Sequence, residues 1–169
     1  MKKKILYGVV IVLVSLLAAC ATKPGDKTQP AGTAGAKSPK DLEKEALMAQ
    51  EELKRQQLLS EDRVYFTFDS SAIDEHSRAV TEAHATYLLE NSDITVQLEG
   101  HCDERGTREY NLALGERRAQ TVAKLMKAFG VPDGQVKIVS FGEEKPIDLG
   151  HDESAWRKNR RVVFNYKLK

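Results

Sequence analysis

Cysteine is nearly absent: only Cys20 and Cys102 occur among 169 residues. One possible pair cannot form a disulfide framework, so any fold here must be held by an apolar core. Charge of one sign is also missing, since 26 basic residues stand against 25 acidic ones. That balance excludes bulk electrostatic binding to nucleic acid, which needs a strongly basic face. There is no long hydrophobic run either. The uncharged stretch from Ile5 to Ala19 is fifteen residues long, whereas a helix needs roughly 20 to cross a bilayer. A cysteine nucleophile would need a His and an Asn or Asp placed separately in the chain, and no such pattern accompanies Cys102.

What the N-terminus does contain is Lys2, Lys3 and Lys4 ahead of that apolar stretch, the order of an export signal. The stretch ends Leu17-Ala18-Ala19-Cys20, which resembles the bacterial lipobox. The resemblance implies a signal over 1–19 and an acylated Cys20 at the new N-terminus. Ala21 stands where Asp would mark inner-membrane retention, so outer-membrane sorting is implied. Loss of the three lysines leaves 23 basic against 25 acidic residues, a formal charge of about −2. Residues 21–37 hold no large apolar side chain and read as a flexible tether.

Ser38-Pro39-Lys40-Asp41 is a helix start, with Ser38 as N-cap, Pro39 at the first helical position and Asp41 closing a capping box. A helix to about Leu59 follows, with Leu42, Ala46, Ala49 and Leu53 as a weak stripe and Glu51–Arg55 as an i,i+4 pair. This helix is either a docking element or a solvated spacer; a stripe of under three heptads favours the spacer.

From Glu61 on, strand and helix patterns alternate over a length suited to one small domain, 61–169. Val64, Phe66 and Phe68 predict a first strand, and Asp69-Ser70-Ser71 a turn. A helix is expected over 74–90, with Ile73, Val80, Ala83, Tyr87 and Leu88 facing inward. Ile94, Val96 and Leu98 alternate with polar residues, predicting a strand to His101. A second long helix is expected from about Arg108 to Phe129, with Ala119, Val122, Ala123, Met126 and Phe129 on its inner face. Gly130 and Pro132 end it. Strands over 136–141 and 162–167 and a short helix over 153–159 complete the pattern. The expectation is an α/β sandwich of parallel βαβ units, closed by one further strand into a mixed four-stranded sheet.

The run Glu99 to Arg118 is then a strand-to-helix turn loaded with charge, at the place where open α/β sheets bind ligands. Asn111, Leu114 and Arg118 share one helix face, so Arg118 points back toward Asp103. A carboxylate and a guanidinium converging on one spot suit a zwitterionic amino-acid centre, the fork of Arg taking the carboxylate and Asp the ammonium. An intramolecular Asp103–Arg118 salt bridge explains the same spacing equally well. His101 and Cys102, adjacent on a strand, point to opposite faces and cannot pair as base and nucleophile. Nor can three consecutive residues, His101, Cys102 and Asp103, face one metal ion without a sharp turn.

These residues also carry a resemblance. Phe66-Thr67-Phe68-Asp69, the run Glu99 to Thr107, Glu109-Tyr110-Asn111, Leu114-Gly115-Glu116-Arg117-Arg118-Ala119 and Asn159-Arg160-Arg161 resemble the peptidoglycan-associated lipoproteins of the OmpA C-terminal family, from Arg63 to Tyr166. The resemblance implies an OmpA-like fold and no enzymatic activity or cofactor. It implies binding to meso-diaminopimelate in the stem peptide of peptidoglycan, with Asp103 on the ammonium, Arg118 on the carboxylate, and Asp69 and Leu114 as further contacts. It further implies an outer-membrane lipoprotein in the Tol-Pal system, facing the periplasm, with TolB and possibly TolA as partners. Asn159, Arg160 and Arg161 either line the groove or brace the sheet, with Arg161, at the start of the last strand, the better candidate for bracing. Cys102 stands where many members carry Thr. A wall-binding lipoprotein outside the Tol-Pal system and a Cys102-dependent envelope hydrolase are the alternatives.

Overall fold

The computed structural model describes residues 38–168. The expected signal, the lipidated Cys20 and the tether lie outside the described residues. Helix α1 (Pro39–Leu59) starts as its sequence requires: the Ser38 side chain accepts from the Lys40 N–H at 3.2 Å, and Asp41 accepts from the Ser38 N–H at 3.3 Å. None of its residues is buried, and Leu42, Leu47, Met48 and Leu53 are exposed. Its C-terminal end meets the following domain through Leu58, which packs against the core, and through Arg55. The expected Glu51–Arg55 pair gives way to Arg55 with Glu52 at 3.0 Å and with Glu90 at 2.9 Å. Both i,i+3 and i,i+4 partners are within reach on a helix, and Glu90, across on the next helix, draws the guanidinium to the side where Glu52 lies.

The remaining elements are β1 (Arg63–Tyr65), α2 (Glu75–Glu90), β2 (Ile94–His101), α3 (Arg108–Ala128), a 3₁₀ turn (Asp133–Gln135), β3 (Val136–Gly142), α4 (Glu153–Asn159) and β4 (Arg161–Leu168). Strand order is β1-β4-β2-β3, with β2 and β3 parallel and β4 antiparallel to both of its neighbours. The last strand therefore slots between the first two instead of closing an edge. One face of the sheet carries Val96, Leu98, Val162 and Phe164, which pack with Val80, Leu88, Val122 and Met126 of the helices. The opposite face is a polar ladder in which Glu99 accepts from Gln97 at 2.8 Å and from Asn165 at 2.9 Å. This is the period-two alternation seen in the sequence, realised as a two-layer sandwich. Truncating a core side chain such as Leu98 to Ala costs about 2 to 5 kcal/mol.

Helix α3 ends on Gly130, whose φ of 102° lets its N–H reach Lys127 O and the Val131 N–H reach Met126 O, a Schellman stop. The first strand is shorter than its sequence predicts. Phe66 still pairs with Arg160 O at 2.9 Å, but the chain then leaves the sheet and Asp69 adopts a left-handed φ of 50°. Phe68 is consequently 58% exposed instead of extending the core stripe.

Candidate functional site

The position of the site follows from how closely α3 lies on β2. A Cβ on Gly100 would stand 1.9 Å from Gly115 O, so the two backbones touch where side chains would otherwise hold them apart. The register of β2 against β3 shifts after Gly100, and the Cys102 N–H bonds Gly142 O at 2.8 Å. Beyond this point the chain turns at Gly106, φ 112°, into α3, where the Thr107 side chain caps the Tyr110 N–H. Residues at the C-terminal end of β2 and in the first three turns of α3 are thereby forced together.

Arg118 is fully buried, yet its guanidinium meets no carboxylate among the described residues. Nε donates to Ser70 O at 2.8 Å, Nη1 to His101 O at 2.9 Å and to Cys102 Sγ at 3.3 Å, and Nη2 to Thr67 O at 3.2 Å. Four bonds from five N–H groups leave one donor over. Burial lowers its pKa from the ordinary guanidinium value, but an arginine stays charged in any protein. The side chain thus ties the 67–70 loop to β2 while keeping its positive charge unneutralised by any direct ion pair.

Asp103 is partnered differently from either expectation. Its carboxylate takes Arg105 Nη2 at 2.7 Å and Arg160 Nη1 at 3.1 Å, and Asp103 itself is only 4% exposed. The Asp103–Arg118 salt bridge is therefore not formed, and Asp103 is engaged by a sequence neighbour two residues on. Burial acts to raise its pKa, but the hydrogen bonds from Arg105 and Arg160 outweigh this and hold the carboxyl below the usual carboxylate range.

A cavity of about 190 Å³ is lined by Asp69, Asp103, Leu114 and Arg118, the four residues singled out in the sequence, together with Arg105 and Tyr110. Asp69 accepts from the Tyr110 hydroxyl, and both residues line this cavity. Leu114 and Asn111 come from the buried face of α3, as their spacing requires. Arg160, placed between groove and sheet by sequence reasoning, does both: it lines the cavity and donates to Phe66 O at 3.0 Å. Arg161 braces, donating to Asn159 O and Lys145 O. Sequence reasoning missed Arg105 and its aromatic bed, in which the guanidinium carbon lies 4.1 Å from the Phe68 ring centre and 4.0 Å from that of Trp156. The available signal was Phe68 itself, an aromatic residue beyond the last strand position that the core can use.

Cys102 and His101 do not act on each other. The Cys102 thiol donates to Asn111 O at 3.2 Å, and burial pushes its pKa up to about 11. His101 stacks on Phe141, and burial, with Arg161 and Lys145 nearby, pulls its pKa down to about 3. A protonated thiol without an adjacent base is a poor nucleophile. No cluster of His, Cys, Asp and Glu suited to a metal occurs among the described residues.

What this geometry can do is present a buried positive charge, a carboxylate and an apolar wall to one small polar ligand. Known proteins resemble this chain. The OmpA family matches residues 65–160. The peptidoglycan-associated lipoprotein of Legionella pneumophila is 37% identical over 164 residues, covering 95% of this chain and 93% of that protein. That of Pasteurella multocida is 52% identical over 103 residues, covering 61% of this chain and 69% of its own. The crystal structure of the peptidoglycan-associated lipoprotein from Burkholderia pseudomallei superposes with a TM-score of 0.64 at 44% identity, covering 65% of this chain and 93% of that one. The chain therefore belongs to the OmpA family, among its peptidoglycan-associated lipoproteins.

Proposed function

We propose that this protein is an outer-membrane lipoprotein, anchored through Cys20, that binds the meso-diaminopimelate stem peptide of peptidoglycan without making or breaking a bond. It holds the outer membrane to the wall from the periplasmic side, within the Tol-Pal system that acts in envelope constriction and division. The observation that carries this reading is the buried Arg118 guanidinium, which lines the cavity with a donor to spare and no carboxylate partner among the described residues. A ligand carboxylate supplies the missing counter-charge, and the fork of Arg suits it. Asp103, which lines the same cavity, receives the ammonium on the same carbon. Leu114 and Asp69 bound the remaining peptide.

The test is binding of the purified full-length chain, in detergent, to walls with diaminopimelate stems and to walls with lysine stems. Lysine lacks the second carboxylate. Binding to the first alone, abolished by Asp103→Asn with the fold intact by circular dichroism, supports the reading. Equal binding to both walls, unaffected by Asp103→Asn, sinks it. Recovery of TolB with the wild-type chain from envelope extracts separates the Tol-Pal role from a wall tether outside that system.

A further inference from the structure

The wall-binding reading, on which this inference rests, leaves one difficulty: in the structure Asp103 has no acceptor position to give. Oδ1 accepts from the Arg105 backbone N–H and from Arg105 Nε, both at 3.1 Å. Oδ2 accepts from Arg105 Nη2 at 2.7 Å and Arg160 Nη1 at 3.1 Å. A carboxylate offers about four lone-pair sites, so the set is full.

The two arginines differ in freedom. Arg160 is 4% exposed along its side chain and is pinned by Phe66 O and by Glu153 at 2.6 Å. Arg105 is 31% exposed, and apart from Asp103 its head rests on two aromatic faces and stands 3.6 Å from Glu153 Oε2. It is the member that can leave. Glu153 already lies on the way out and offers the displaced guanidinium a second carboxylate.

We infer that Arg105 is an internal stand-in for the cationic group of the ligand: its guanidinium occupies Asp103 in the free protein and is displaced when an ammonium binds there. The bound state is one in which Arg105 has moved from Asp103 toward Glu153, and only molecules in that arrangement bind. Apparent affinity is therefore lower than the intrinsic affinity of the site by the fraction of molecules with Asp103 open. Any ligand that uses Asp103 carries the same penalty. Arg105 thus sets how tightly the site holds its ligand, while Arg118 decides which ligand it is.

Trp156, the single tryptophan of the chain, reports the event, because its ring is one of the two faces against the Arg105 guanidinium. The experiment titrates the full-length protein in detergent with a soluble diaminopimelate-containing muropeptide, followed by calorimetry and by tryptophan emission. In the wild type the emission changes with the same Kd as the heat. In Arg105→Ala the muropeptide binds roughly tenfold tighter, through removal of the competing cation, and the emission change largely disappears. Wild-type binding with unaltered emission, or binding by Arg105→Ala that is no tighter than wild type, overturns the inference and leaves the wall-binding reading standing. Absence of any muropeptide binding in the wild type removes both.

Discussion

Arg118 Nη1 donates to the carbonyl oxygen of His101 at 2.9 Å, so the guanidinium that faces the cavity also holds the end of the strand that leads to Asp103. Binding and folding are joined in this one side chain. Arg118→Lys keeps the charge but cannot span the carbonyls of Thr67, Ser70 and His101 with one ammonium. We expect a loss of about 2 to 4 kcal/mol of stability from buried carbonyls left without donors. Urea unfolding checks this, and ligand affinity measured well below the midpoint gives the binding loss separately.

Gly115 and Gly100 set the distance between α3 and β2. A methyl group at Gly100 would overlap the Gly115 backbone, which cannot move aside as a flexible side chain would. Gly100→Ala should cost about 3 kcal/mol or more, at the upper end for an overpacked site. Gly115→Ala meets the Ser140 hydroxyl at 2.4 Å and Gly100 O at 3.0 Å; Ser140 can turn aside at the loss of its bond to Leu112 O, so this should be the milder change. Thermal unfolding of the two variants gives the order; the reverse order would contradict this account of the contact.

His101 predicts a pH dependence. Its folded-state pKa is depressed to about 3 by burial, against about 6.5 in an unfolded chain. Between these values the unfolded chain binds the proton and the folded one does not, so stability is full above about pH 6.5 and falls as pH drops toward about 3. The slope from this group is about 1.4 kcal/mol per pH unit. Neither ring nitrogen has a hydrogen-bond partner among the described residues, so His101→Phe breaks no bond. That variant should lose stability less steeply between pH 6.5 and 4. Some slope remains, since burial also lowers the pKa of His84. An unchanged slope in denaturant titrations at pH 7, 6, 5 and 4 would count against it.

Cys102 should be inert while the protein is folded. It is 3% exposed and its pKa is raised to about 11, so almost no thiolate is present at neutral pH. Aromatic disulfide reagents at pH 7.5 should label it only at the rate of unfolding, and at once in denaturant. Cys102→Ser should alter stability by about 1 kcal/mol or less, because a hydroxyl retains both the donor to Asn111 O and the acceptor for Arg118.

The elements of the domain were legible in the sequence because each leaves a local mark. Val96 and Leu98 alternate with Gln97 and Glu99, and Val122 and Met126 recur at helical spacing. Ser38, Gly130 and Pro132 punctuate the chain by their own backbone and side-chain chemistry. The same local rules placed Asn111, Leu114 and Arg118 on one helix face beside the turn that holds Asp103. The insertion of β4 between β1 and β2 left no such mark, since the period-two pattern of a strand is the same whichever neighbour it takes.

The sequence by itself determined the two-layer α/β order, the charged strand-to-helix turn and the helix face that carries Asn111, Leu114 and Arg118, all of which rest on spacing along one chain segment. Only the tertiary structure decided who pairs with whom. Asp103 is held by Arg105 and Arg160, not by Arg118, which instead binds backbone carbonyls. Phe68 and Trp156, 88 positions apart, meet over Arg105. Such choices depend on distances across the fold: several cations compete for one buried carboxylate, and the pairing follows from where packing sets each side chain down.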